Sequence, residues 1–218
     1  MDTAPRHDIY AFIHKGLRAF MSHTLVRLGR VDVNDRAELA EVSEEVRALL
    51  ALCRDHVHSE NTFVHPAIAA RSAGRTAAFE REHAGHEREI DALEALVAEL
   101  PGSAAALRRL YLALSVFVAE NFEHMQREET ELNAALWATH TDDEIRAVEA
   151  RIVASHQPEE MQVVLRWMLP HLAPEERAQM LGGMRAAAPA PVFEGTLALI
   201  RPLLGGRDWR KLASALGL

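Results

Sequence analysis

The sequence has one cysteine, two lysines and only 6% aromatic residues in 218 positions. Cys53 has no second thiol to oxidise with, and a lone cysteine gives no thiolate zinc cluster. The few aromatics, and the absence of any run alternating apolar and polar residues, leave no segment that reads as a β-strand. A basic stripe is also missing: the formal charge is −8, which argues against a protein that must neutralise nucleic-acid phosphates. The longest apolar run, near Leu110 to Ala119, is closed by Arg109 and Glu120 and falls short of the ~18 residues that suggest a membrane span. The first residues, MDTAPRHDIY, lack the basic and apolar regions of a signal peptide, so a soluble cytoplasmic protein is expected. No Ser/His/Asp arrangement, phosphate-binding glycine loop or cysteine pair stands out either.

What the sequence does have is twelve histidines. Histidine is the side chain that most readily ligates metals or moves protons near neutral pH, so their placement decides whether they decorate a surface or build a site. The apolar fraction of 49% is enough for a sizeable core.

Nearly every segment reads as helix. The first runs from about Asp8 to Leu28, with Gly29 as its stop. A second starts after Asp35, capped with help from Glu38, and continues to the Val64–Ala67 region, where Pro66 bends it. A loop of small and polar residues comes next at 69–76. The third helix covers about Ala77 to Leu100 and stops at Pro101-Gly102, and the fourth opens at Ser103 and reaches about Thr139. Thr141 and Glu144 form a capping-box pair that starts a fifth. From Pro158 onward six prolines predict short helices of roughly 10 to 15 residues. The expected architecture is therefore all-α: an antiparallel four-helix bundle at 1–140 with additional C-terminal helices at 141–218.

Residues three, four or seven apart share a helix face. His14 shares its face with Tyr10, Leu17 and Met21; His56 and Glu60 continue the series Val46, Leu49 and Cys53; His124 and Glu128 continue Leu110, Leu114 and Phe117. On the third helix the apolar face centres about −50° from His83, and His86 lies at about −60°, so both histidines border it and Glu87 falls at its edge. The pattern His-x-x-x-Glu occurs at His56, His83, His124, His140, His156 and His171, well above what composition predicts. Two of these contain a proline and the one at His140 crosses a helix boundary; only the pairs at His56 and His124 lie in uninterrupted, core-facing helix. A single histidine on an apolar face is usually a satisfied core residue. Five histidines and two glutamates converging from four helices are another matter, because buried carboxylates cost several kcal/mol unless cations balance them, and a pair of metal ions does so directly. The other histidines read differently. His58, His23, His140, His156 and His171 are expected in solvent, His7 near the bundle mouth, and His65 beside the bend at Pro66.

The stretches IHKGLRAF around His14, HVHSENTFVHPAI around His56 and Glu60, EHAGHEREI around His83 and His86, and NFEHMQREE around His124 and Glu128 resemble the hemerythrin-like (HHE cation-binding) family over about residues 8–140. The resemblance implies a carboxylate-bridged di-iron centre in a four-helix bundle, with His14, His56, His83, His86 and His124 as terminal ligands and Glu60 and Glu128 as bridges. Two departures stand out. The third-helix histidines are three apart rather than four, and His124 is followed by Glu four residues on rather than by Asp five residues on, as in oxygen carriers. The latter spacing looks more like the bacterial iron-repair relatives and the mammalian iron-sensing member. The segment 141–218 resembles the C-terminal part of longer bacterial hemerythrin-like proteins. Ferritin-like proteins fit poorly, since they need two Glu-x-x-His motifs and this chain has one, Glu80 to His83.

Two octahedral irons offer roughly twelve positions. Five histidines, two bridging carboxylates and an oxo or hydroxo bridge leave one open, or two if one of His83 and His86 stands off the metal. Such a site would take O2, NO or peroxide, and such ligands also accept Mn or Zn. The leading expectation is a non-enzymatic di-iron protein that binds O2 or senses oxygen, iron or redox state. The enzymatic alternative is NO or peroxide reduction, or iron donation for iron–sulfur repair. A third is a helical interaction module with a structural metal, residues 141–218 serving as a docking or homodimer surface.

Overall fold

The structure is a computed structural model that describes residues 6–100 and 103–218. Among them it is helical throughout, with no strand. The long helices are α1 (Ala11–Arg30), α2 (Arg36–Ser59), α4 (Ala77–Ala98) and α5 (Ala104–Arg127), with the short α3 (His65–Arg71) after α2. Beyond α5 come α6 (Asn133–Thr139), α7 (Asp142–Ser155), α8 (Pro158–Met168), α9 (Pro174–Ala187), α10 (Ala190–Ile200) and α11 (Gly206–Leu216). The chain groups into two compact units, one of residues up to Ala11 with Phe20–Ser155, the other of Phe12–Ala19 with His156–Leu218.

In the first unit α4 packs against both α2 and α5. The reason is in the pattern: Val42, Val46, Leu49 and Leu50 of α2, Ile90, Leu93 and Val97 of α4, and Leu110, Leu114 and Phe117 of α5 are all buried at helical spacing. Asp35 caps α2, its carboxylate accepting from the backbone N–H groups of Ala37 and Glu38, and Ser103 caps α5 by accepting from Ala106 N–H. The capping pair at Thr141 and Glu144 forms as expected, Glu144 accepting from Thr141 N–H at 2.8 Å and Thr141 Oγ1 accepting from Glu144 N–H at 3.3 Å. At one end of this unit Tyr10, Val64, Ile68, Phe79, Leu132 and Leu136 close a core with Ile145 and Val148 of α7. In the second unit α8 to α11, of 11, 14, 11 and 11 residues, enclose Leu165, Leu169, Leu181, Phe193, Ile200 and Leu212.

Three boundaries differ from the sequence expectation. Helix α1 runs through Gly29 to Arg30, because that glycine answers a close approach: a Cβ there would stand 2.8 Å from the Tyr111 ring. Helix α3 extends to Arg71, three residues into the expected loop. The break after α2 is not a proline bend at Pro66 but a π-helical turn over Glu60–Val64, in which His65 N–H reaches back five residues to Glu60 C=O. A second π turn, Glu128–Leu132, succeeds α5 and contains no proline at its end; there Asn133 N–H donates to Glu128 C=O. The expected stop of α4 at Pro101-Gly102 lies outside the described residues.

Candidate metal centre

Each of the two glutamates expected to bridge is the first residue of a π turn. One extra residue in a helical turn rotates the downstream helix by about 100°, so Glu60 and Glu128 stay stacked one turn after His56 and His124 while the chain beyond re-aims into the apolar core. Single π turns inside α-helices are rare and are found frequently at functional sites.

The side chains converge. Glu60, His83, His124 and Glu128 each present one donor atom, all within 4.8 Å of one another, and His14, His56, Glu60 and Glu128 form a second such group. Both glutamates belong to both groups. His83 Nε2 lies 3.3 Å from Glu60 Oε2 and 3.3 Å from Glu128 Oε1, His124 Nε2 lies 2.9 Å from Glu128 Oε1, and His56 Nε2 lies 3.3 Å from Glu60 Oε1. The Nε2 atoms of His83 and His124 point at each other across 2.9 Å. All of these residues except the half-buried His56 are buried, with His14, His83 and Glu128 at 0% exposure.

The outer nitrogens are fixed by oxygens. His83 Nδ1 donates to Asn61 Oδ1 at 2.8 Å, and His124 Nδ1 donates to Glu82 Oε2 at 2.8 Å. A proton held on Nδ1 leaves the Nε2 lone pair facing inward, the arrangement a ligating histidine needs. Glu82 is held in turn by Arg127 Nη1 at 2.6 Å. Neither Asn61 nor Glu82 was singled out by sequence; each adjoins an expected ligand in the chain, and that adjacency was the available signal.

Electrostatics identifies what the cluster requires. Burial and the charge of Glu60 push the Glu128 carboxyl up, but hydrogen bonds from His124 and His83 outweigh them and hold it below its usual range. Burial pulls His83 down, yet Glu128 and Glu60 raise it to about 9. Two buried carboxyls in this pocket, with Glu128 held ionised, call for cationic partners, and a protonated imidazole serves only where a metal ion does not. Tyr10, one turn before His14, is held well above its usual range by burial and then by the charges of Glu60, Glu128 and Asp8, so it faces the site as a neutral phenol. Mixed imidazole and carboxylate donors around shared carboxylates fit a pair of transition-metal ions.

The family model described as "Hemerythrin HHE cation binding domain" matches residues 7–136. The chain belongs to the hemerythrin HHE family. No curated protein and no solved structure gives a match. The family stretch spans α1 to α6 and includes every member of both donor groups.

Within that HHE domain His86 stands apart. It is buried, but it belongs to neither donor group; its ring lies edge-on to His124 with centroids 4.7 Å apart, and burial followed by the charges of His124 and His83 lowers it to about 4. Two histidines expected outside the site are not in solvent. His65 is 2% exposed and stacks on His83 with centroids 4.9 Å apart and 10° between planes, because the π turn brings α3 back over the centre. His140 is 9% exposed, its Nδ1 2.8 Å from Thr139 Oγ1, where the chain turns into α7. His58, His23 and His171 are exposed, and His7 pairs with Glu149 at 2.9 Å. The one thiol, Cys53, is buried and pushed up to about 12, which leaves it without nucleophilic character at neutral pH. Among the described residues no helix is long and apolar enough to cross a membrane.

Proposed function

We propose that the chain holds two iron ions bridged by Glu60 and Glu128 and binds a small diatomic ligand, O2 foremost, as a reversible binder or a sensor of oxygen, iron or redox state. The observation that carries this reading is the membership of both glutamates in both donor groups. A carboxylate can serve two ions by turning one oxygen to each, and His56 and His83 lie beside different oxygens of Glu60. When bound, an iron pair supplies Lewis acidity and one-electron chemistry toward O2, NO or peroxide.

The chain's own residues do the rest. Asn61 and Glu82 hold the rings of His83 and His124 in register. Phe79, 5.7 Å from the His124 ring, and Phe117, edge-on to His86 at 6.3 Å, wall the centre with carbon and exclude water. Tyr10 places a neutral phenol within electrostatic reach of the two carboxylates. A buried centre walled by these rings favours binding of a small gas over hydrolysis.

The test is anaerobic reconstitution with ferrous iron followed by cycles of O2 and argon. A spectral change that reverses over repeated cycles is the expected result. Steady turnover of NO or peroxide would replace the binding reading with the enzymatic one, and loading without response to any of these gases would leave a structural metal.

A further inference from the structure

On the outer side of His86 and His124 a cleft of about 300 Å³ opens between α4 and α5. Four of its lining side chains are glutamates: Glu82, Glu89, Glu120 and Glu123. The cation among them, Arg127, is already committed to Glu82 at 2.6 Å and to Glu131 at 3.2 Å. Glu89 and Glu120 face each other, and burial together with the charge of Glu120 holds the Glu89 carboxyl above its usual range, the mark of a place short of positive charge.

Acidic residues alone would not make a site. Two independent observations point to a ligand. His86, 94% buried by its 6% exposure, lines this cleft, belongs to neither donor group, and has no hydrogen-bond partner for its Nδ1. Gly85, in the middle of α4, also lines the cleft, at a helical position where glycine is less favourable than alanine. Packing does not require it, since a Cβ there would meet only Arg88 Nη2 at 3.9 Å. A helix that gives up a side chain at the cleft, and a buried imidazole with an unused nitrogen at its inner wall, are both accounted for if something small and cationic passes.

We propose that this cleft is the route by which divalent metal ions enter and leave the buried centre, the glutamates gathering a hydrated cation and His86 acting as the first nitrogen donor it meets on the way to His124. The inference rests on the metal-centre reading above and extends it from holding metal to exchanging it. Clefts lined by one sign of charge focus a field and raise the local counter-ion concentration, with on-rates enhanced by about 10- to 1,000-fold. The open end gathers; the ring of His86, packed against that of His124, delivers.

The experiment mixes metal-free protein with Co2+ alone in a stopped flow and tracks the growth of its ligand-field absorption at low and high salt. The double variant Glu89→Gln/Glu120→Gln should load about tenfold more slowly at low salt, with the same final spectrum and the same metal content as wild type, and its rate should lose most of its salt dependence. Gly85→Leu, which narrows the cleft without touching a charge, should slow loading as well. Exposed Glu159→Gln/Glu194→Gln should load at the wild-type rate. Unchanged rates in both cleft variants, with full loading, would overturn the inference and leave the metal centre standing. A wild-type chain that holds no metal would overturn both.

Discussion

Glu60 and Glu128 occupy equivalent places in the chain: each comes four residues after a histidine, each opens a π turn, and each lies in reach of the same His83 Nε2 at 3.3 Å. Two carboxylates brought this close without a cation would repel, so their pairing defines what the protein must bind. Glu60→Ala or His124→Ala should therefore lose metal and lower the melting temperature of the metal-loaded protein, by the equivalent of about 3–5 kcal/mol for a broken buried pair. His58→Ala and His23→Ala, at exposed positions, should change neither. Metal content and thermal melts of the four variants decide it; equal effects in the two groups would break the assignment.

The orienting oxygens give a second expectation. Asn61→Ala removes the acceptor that holds His83 Nδ1 without removing a ligand. Affinity should fall 10- to 100-fold while the metal count at saturation stays the same. A competition titration against a chelator reads the affinity, and a lost metal equivalent would mean that Asn61 does more than orient.

The metal-free protein should show opposing pH slopes. His83 is raised in the folded state to about 9, so its contribution to stability is fully present below the unfolded value near 6.5 and is lost as pH rises through about 9. His86 is lowered to about 4, so its contribution is present above about 6.5 and is lost as pH falls toward 4. From these two groups a stability maximum near pH 6.5 is expected in chelator-treated protein. Metal binding must displace the His83 proton, so affinity should climb with pH through the same upper window. Chemical denaturation at several pH values, with and without metal, checks both slopes.

Within the second unit, two glycines should respond in opposite directions. A Cβ at Gly16 would stand 2.9 Å from Met168 Cα, a backbone atom that cannot step aside, whereas nothing lies within 4 Å of one at Gly183. Gly16→Ala should destabilise by about 1–3 kcal/mol, and Gly183→Ala, in mid-helix, should stabilise by about 0.5–1 kcal/mol. Urea melts of the two variants should move to opposite sides of wild type.

Much of this was legible in the sequence because helix periodicity is a local property. The apolar series ending in His56 and Glu60, and in His124 and Glu128, identified the faces that the fold buries, and Asp35, Ser103 and Thr141 marked helix starts through their own side-chain hydrogen bonds. What escaped depends on tertiary contact. The π turns carry no residue signature, since one of them forms without a proline. Gly29 has the look of a helix stop, and only the Tyr111 ring packed against it shows otherwise. His65 comes to rest on His83 because a π turn re-aims α3, and His86 falls outside both donor groups although its helical angle matches that of a ligand.

The number of ions that the shared glutamates hold is the most direct measure of the centre. Elemental analysis of anaerobically reconstituted protein, washed free of loose iron, should find two irons per folded chain, falling below one in Glu128→Ala if each glutamate bridges both ions as proposed. One iron or fewer in the wild-type chain, or a full iron retained without Glu128, would contradict it.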